Sequence, residues 1–327
     1  MKRRRYCGRN VWLIMGRSRD FSISKKSFIS QYNSQRPIDW TGCFANAQPL
    51  EIEIGSGLGE TLLRNAKANP DRNYIGIERD WKRVKRTLRK IKGIDNIRVL
   101  QVDAHAALAR LVKEKTINRI YSLFPCPWPK KGHEKHRLFS CKYLRLMNSR
   151  LMDGGSAQIV TDYLPFFDWI CGQVPGTGFR MEKEVTPPRF DTKFERKWRA
   201  TGQKEFYQLT LLKNEHVPIP LEEDQELKAY FLNSFLPDSF ECRDITGEES
   251  IILKDFIFDA KREKGMIHLV VSETDITQHL WVIIVKGKNG WCVAKAEGHT
   301  VLPTKGVARA IKHVAEEIKR AQENLTE

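Results

Sequence analysis

The chain has no C-x-x-C pair, no apolar run near the ~18 residues of a membrane span, no internal repeat and no low-complexity tract. Each gap removes a class of protein. The seven cysteines (Cys7, Cys43, Cys126, Cys141, Cys171, Cys242 and Cys292) are odd in number and scattered, which argues against a disulfide framework or a zinc finger. The basic start, Met1 to Arg5, leads into Tyr-Cys-Gly-Arg-Asn and not into the apolar core of a secretory signal. With no membrane segment expected, the cytoplasm is the default compartment. Core material is plentiful: 41% of residues are apolar and 10% aromatic, too many for a disordered polymer. At 327 residues the chain exceeds one ordinary domain, and two are expected.

Charge divides the chain. The total is +16, yet residues 215–327 hold 14 Lys and Arg against 20 Asp and Glu, a net of −6. The first 214 residues hold 42 against 20, a net of +22. A polyanion should therefore dock on the first part. Residues 1–44 are expected to form a basic arm, with seven cations against Asp20 alone in the first 20 positions. Residues 215–225 combine two prolines with an acid run and read as a linker. The acidic residues 226–327 are poorly suited to gripping RNA, which leaves a protein contact or dimer surface as their expected role.

From Pro49 the pattern becomes strand, glycine loop, helix, strand. Leu50-Glu-Ile-Glu-Ile54 alternates, Gly55-Ser-Gly-Leu-Gly59 turns, Glu60 to Ala68 suits a helix and Tyr74 to Glu78 a second strand. Trp81, Val84, Leu88 and Ile91 then recur at helical spacing among eight Lys and Arg, predicting a helix with one buried stripe and a basic face. Ile97 to Val102 and Ile117 to Phe124 supply two more strands. Such alternation implies an α/β fold, a doubly wound, mostly parallel sheet over residues 45–214 that binds ligands at the carboxyl ends of its strands. Past the linker, four strand-like runs and a helix carrying Val307, Ile311, Val314 and Ile318 predict a small α+β accessory domain over residues 226–327.

The glycines let backbone pass close to a ligand. A dinucleotide fingerprint, and with it a nicotinamide-dependent oxidoreductase, needs its third glycine one position later, where this chain has Glu60, a carboxylate that would repel a pyrophosphate. A phosphate-free cofactor fits better. S-adenosylmethionine, a sulfonium cation joined to an adenosine, welcomes the acids present: Glu53 before Gly55 and Gly57, Glu78 at the next strand end for ribose hydroxyls, and Asp103 at the third.

Phe124-Pro-Cys-Pro-Trp-Pro-Lys-Lys-Gly-His-Glu-Lys-His-Arg137 is the most specific segment. Its prolines hold an extended wall just past a strand, and cations suited to phosphate follow at once. His133 and His136 do not match a zinc spacing, so no metal is expected. This segment, with Leu50 to Leu62, Asn69 to Glu78, Asn96 to Ala104, Gly154-Gly155, Thr161-Asp162 and Thr192-Lys-Phe-Glu-Arg196, resembles the bacterial tRNA (guanine-N7)-methyltransferase family over about residues 45–212. The resemblance implies a class I, Rossmann-like methyltransferase using S-adenosylmethionine on the guanine at position 46 of tRNA. It also implies that Glu53, Glu78 and Asp103 contact cofactor, and that Lys130, Asp162, Thr192, Lys193, Phe194 and Glu195 serve the substrate.

The chain departs from the pattern at Gly132 and His136, which replace residues usually basic, and, with more consequence, at Cys126. Cys126 stands where the family has Asp, at the junction of cofactor and guanine. Guanine N7 has an in-plane lone pair and no proton to lose, so transfer needs alignment and desolvation more than a strong base. A carboxylate there would read the N1-H and N2-H edge or offset charge on the alkylated purine, and Asp162 and Glu195 are the candidates left for that duty. Cys126 as a nucleophile has no task in N7 chemistry. The alternative is a tRNA-binding relative with weakened turnover.

Overall fold

The computed structural model describes residues 27–32, 35–130, 132–247, 249–273 and 276–323. The basic segment over residues 1–20, and Lys131, lie outside the described residues.

The first part runs β1 (Phe28–Ile29), α1 (Trp40–Phe44), β2 (Leu50–Ile54), α2 (Glu60–Ala68), β3 (Asn73–Glu78), α3 (Trp81–Lys90), β4 (Ile97–Gln101), α4 (Ala104–Arg110), β5 (Ile117–Leu123), α5 (Cys141–Arg150), β6 (Leu151–Thr161), α6 (Leu164–Gln173), β7 (Phe179–Thr186), α7 (Lys193–Ala200) and β8 (Phe206–Lys213). Its strands make one sheet in the order β1-β4-β3-β2-β5-β6-β8-β7. Pairing is parallel from β1 to β6 and antiparallel on both sides of β8. From β2 the chain winds outward through β3 to β4, then returns to β5, so the topological switch lies between β2 and β5.

The alternation of β2 has an unexpected reason. Alternating polar residues usually face water, yet every residue of β2 is buried. Ile52 and Ile54 join the main core, whereas the Glu51 carboxylate is held by Arg72 at 2.8 Å and by the Tyr121 hydroxyl. The fold also takes in residues that charge alone assigned to the arm. β1 pairs with β4 and forms the edge of the sheet, and Ile38, Trp40 and Phe44 are apolar enough to sit in the core.

The second part comprises β9 (Tyr230–Leu232), β10 (Ser250–Asp259), β11 (Lys264–Ser272), β12 (Thr277–Gly287), β13 (Gly290–Lys295) and α8 (Lys305–Glu323). The sheet is antiparallel, in the order β10-β11-β12-β13-β9, and α8 buries Val307, Ile311, Val314 and Ile318 against it. β9 is a three-residue strand too short to show a period. No helix among the described residues is long and apolar enough to cross a membrane.

Residues 214–229, which span the expected linker, form neither helix nor strand, yet the first half is strapped to the first domain. Asn148 bonds the Glu215 carbonyl and the Val217 amide, each at 2.9 Å. The Arg150 guanidinium, fully buried, donates to the Ile219 carbonyl at 2.6 Å and to Leu108 at 2.7 Å. Arg110 pairs with Glu222 at 3.1 Å and Asp224 at 2.8 Å. Beyond the strap, Leu302 enters the core of the first domain with Ile276 packed beside it. Gln278 fixes Leu302 through both its amide and its carbonyl.

Removing the Arg150 guanidinium takes the donor from the buried Leu108 carbonyl and the part-buried Ile219 carbonyl, each unpaired group costing roughly 1–3 kcal/mol. Arg150→Met is expected to lower the unfolding free energy by about 3 kcal/mol in urea titration. A loss below about 1 kcal/mol would mean that water replaces the guanidinium and that the strap is weakly held.

Candidate active site

The site is a row of strand ends. From edge to centre come Asp103 after β4, Glu78 closing β3 and the glycine loop after β2; beyond the switch come Phe124-Pro-Cys-Pro-Trp128 after β5 and Asp162 after β6. β7 also ends at this edge, so its loop to β8 brings Thr192 to Glu195 to the same side.

Gly55, Gly57 and Gly59 all have φ between 55° and 72°, a left-handed course that a side chain would strain. Glu78 holds the loop: one oxygen accepts the Gly57 amide at 3.0 Å and the other the Asp80 amide at 2.9 Å. From α3, Thr87 donates to the Gly57 carbonyl at 3.1 Å and Lys90 to that of Leu58 at 3.0 Å. A Cβ built on Gly59 would meet Thr87 at 2.4 Å, whereas one on Gly55 would enter open space. The third glycine thus serves packing, and the first faces open space.

Glu53 lies on β2, two residues before Gly55. Its carboxyl is buried and accepts the Leu62 amide, while its second oxygen has no partner. Burial pushes its pKa up to about 8, against the Leu62 amide and the Arg64 charge. A buried acid with an unspent oxygen beside the glycine loop can accept a hydrogen bond from an amino group, and a cation placed against it would draw its pKa back down. Asp103 caps α4 through the His105 amide at 2.8 Å and lies 3.9 Å from the Arg79 guanidinium.

Across the switch, Phe124 adopts φ 55° and donates its amide to the Val160 carbonyl at 2.8 Å, two residues before Asp162. The proline segment and Asp162 are therefore neighbours. Arg137 braces the segment by donating to the carbonyls of Pro127 at 3.1 Å and Trp128 at 3.4 Å, and its guanidinium stacks on Trp169. Cys126 and Lys130 are exposed along it. Burial pushes the Asp162 carboxyl up, against its own backbone amide and the Lys197 charge.

The Thr192 to Glu195 segment is built more tightly than its residue types suggest. Thr192 caps α7 by accepting the Glu195 amide at 3.1 Å. Glu195 is buried and spends one oxygen on the amides of Arg189 at 2.6 Å and Phe190 at 3.1 Å, so its observed bonds brace its own loop. Lys193 and Phe194 are exposed. One turn on, Arg196 reaches Glu60 at 2.9 Å and ties this segment to the start of α2 beside the glycine loop.

A doubly wound sheet with one reversed strand, carrying a glycine cradle among acids at its carboxyl edge, defines a class I, Rossmann-like methyltransferase. A family model described as "Putative methyltransferase" matches residues 47–208. A tRNA (guanine-N(7)-)-methyltransferase of Chlorobium phaeobacteroides is 44% identical over 174 residues, covering 53% of this chain and 85% of its own. Relatives of the same description from Aquifex aeolicus and Thermotoga maritima are 28% and 26% identical and cover 82% and 86% of this chain and 93% of their own. The chain belongs to the tRNA (guanine-N7)-methyltransferase family. The two longer matches extend past the first domain, so those relatives share at least part of the second.

The sequence reading missed the pairing of Arg196 with Glu60 and the brace of Arg137. Each contact joins residues whose own segments had been singled out, but no local period announces it. Among the described residues no cluster of His, Cys, Asp or Glu could hold a metal ion.

Glu53 makes stability pH-dependent. Its folded pKa of about 8 stands above the ordinary 4.5, so the folded chain keeps a proton that the unfolded chain releases. Stability is full below the unfolded value and falls as pH rises toward 8, by up to about 1.4 kcal/mol per pH unit. Glu53→Gln should flatten that fall relative to wild type when denaturation is followed between pH 5 and roughly 8. Parallel curves for the two proteins would show that the carboxyl ionises normally in the fold.

Proposed function

We propose that this chain transfers a methyl group from S-adenosylmethionine to N7 of guanine 46 in tRNA. The observation that carries the reading is the ion pair of Arg196 with Glu60, which ties the substrate segment Thr192 to Glu195 to the glycine cradle of the cofactor. Membership of the family supplies the base and the atom.

When bound, the cofactor supplies an electrophilic methyl on sulfonium sulfur. Glu53 would meet the cationic end through its unspent oxygen, Gly55 and Gly57 leave room along it, and Glu78 and Asp103 would take the ribose and adenine. The chain's own work is alignment. Phe124 to Trp128 form a rigid wall, Asp162 offers a carboxylate to the donor edge of guanine or to positive charge on the alkylated purine, and exposed Lys130 and Lys193 suit phosphate. The exposed cations of α3, among them Lys82, Arg83 and Arg86, extend that basic surface. Purified protein given labelled cofactor and an unmodified tRNA transcript should place one methyl on the variable-loop guanine, seen as 7-methylguanosine at a single mapped position. Label at another base would refute the regiochemistry, and no label would refute turnover.

A second reading, a tRNA-gripping relative with weakened turnover, rests on Cys126 in the place of the family's Asp. Restoring the carboxylate separates the two. Cys126→Asp is expected to raise single-turnover methylation about tenfold, the scale of one regained transition-state contact. A slower variant would show that the pocket has been rebuilt around the thiol, with Asp162 carrying the charge.

A further inference from the structure

The end of the cofactor row is not closed by the first domain. Beyond Asp103 lies a cavity of about 360 Å³ whose near side is formed by Arg79, Gln101 and Asp103 and whose far side belongs to the second domain, including Thr277, His279 and His299. Resting on the cofactor reading above, we propose that the second domain completes the cofactor pocket, with His279 and His299 forming the outer wall of the adenine subsite.

The order of strand ends sets which part of the ligand arrives here. A ligand with its cationic end over Glu53 and its sugar at Glu78 presents its base at Asp103, one strand further out. Adenine needs acceptors for its exocyclic amine, donors for its ring nitrogens and flat surfaces for its faces. Asp103 and the Gln101 amide supply the first two, and the imidazoles supply flat surface and, at their unspent nitrogens, further acceptors for the amine.

The wall is built and not incidental. The His279 ring bonds the His268 ring at 3.0 Å, and His268 is held by Asp255 at 3.2 Å and stacked on Trp281 with centroids 4.7 Å apart. His299 donates or accepts through Nε2 at 2.7 Å from the His279 carbonyl, and since that carbonyl can only accept, the proton sits on Nε2. Each imidazole therefore keeps one nitrogen unspent in these bonds. The loop carrying His299 is fixed to the first domain three residues later by Leu302, which sits in the same core as Ala106 and Ala107 of α4, the helix that Asp103 caps. The two sides of the cavity are thus anchored to one another through a few residues.

The test compares two ligands that share adenosine and differ in the amino-acid end, S-adenosylhomocysteine and 5′-methylthioadenosine, by calorimetry on the full chain. His279→Ala and His299→Ala, placed on a strand and on a loop so that one folding failure does not remove both, should each weaken both ligands by a common factor of about five to ten, the size of one lost contact. Unchanged affinities in folded variants would overturn the wall alone. Weakening of S-adenosylhomocysteine without weakening of methylthioadenosine would overturn it too, since the effect would then reach the amino-acid end. Failure of wild type to bind either ligand would overturn the cofactor reading, and the wall with it.

Discussion

Glu78 is the fixed point of the molecule. A single carboxylate at the end of β3 is shared between the amide of Gly57, on the loop before it in space, and the amide of Asp80, on the turn that launches α3. Two amides per carboxylate is a strong, directional arrangement, and it leaves lone pairs over. The loop so held takes three left-handed glycines, and α3 then secures two of its carbonyls through Thr87 and Lys90. From the end of that loop, Glu60 reaches Arg196 and positions a segment more than a hundred residues away. Strand end, loop, helix and the segment around Thr192 form one chain of dependence with a carboxylate at its head.

The buried charges follow a common logic: each is solvated by the chain before it is available for function. Arg150 is surrounded by carbonyls, Glu51 by Arg72 and Tyr121, Glu195 by two loop amides. As Arg110 does at its Nε, Glu53 departs from this, with one oxygen left over. In a folded protein a buried polar atom without a partner marks either strain or a place kept for a ligand. The position of Glu53 beside the glycine loop favours the second.

Much of the fold was legible because it rests on local periods. β2 to β5 announced themselves by strand-length apolar runs between glycine and proline, α3 and α8 by apolar residues at helical spacing, and the acids Glu78 and Asp103 could be placed at strand ends from the same runs. What escaped depended on partners distant in sequence. Glu195 has the residue type of a catalytic acid, and only the arrival of the Arg189 and Phe190 amides shows how it is used. Trp40 and Phe44 sit among residues whose charge spoke for an arm, and burial against the sheet decided otherwise. Residues 215–225 have a linker's composition, and no periodicity could show that Asn148, Arg150 and Arg110 would take hold of them. His279 and His299 stand in an acidic domain whose sequence says nothing of the cavity it borders.

The strap has a bearing on how such a chain can drift. Arg150 and Asn148 grip it through the backbone groups of Glu215, Val217 and Ile219, which nearly every amino acid presents alike. Replacement of the side chains there leaves the grip intact, whereas insertion or loss of one residue moves the wrong carbonyl under the guanidinium and displaces Gln225, whose amide bonds Pro303 at the foot of the cofactor-side loop. Over residues 215–219 the segment works as a ruler, its length held more strictly than its spelling, while Glu222 and Asp224 are gripped by their side chains.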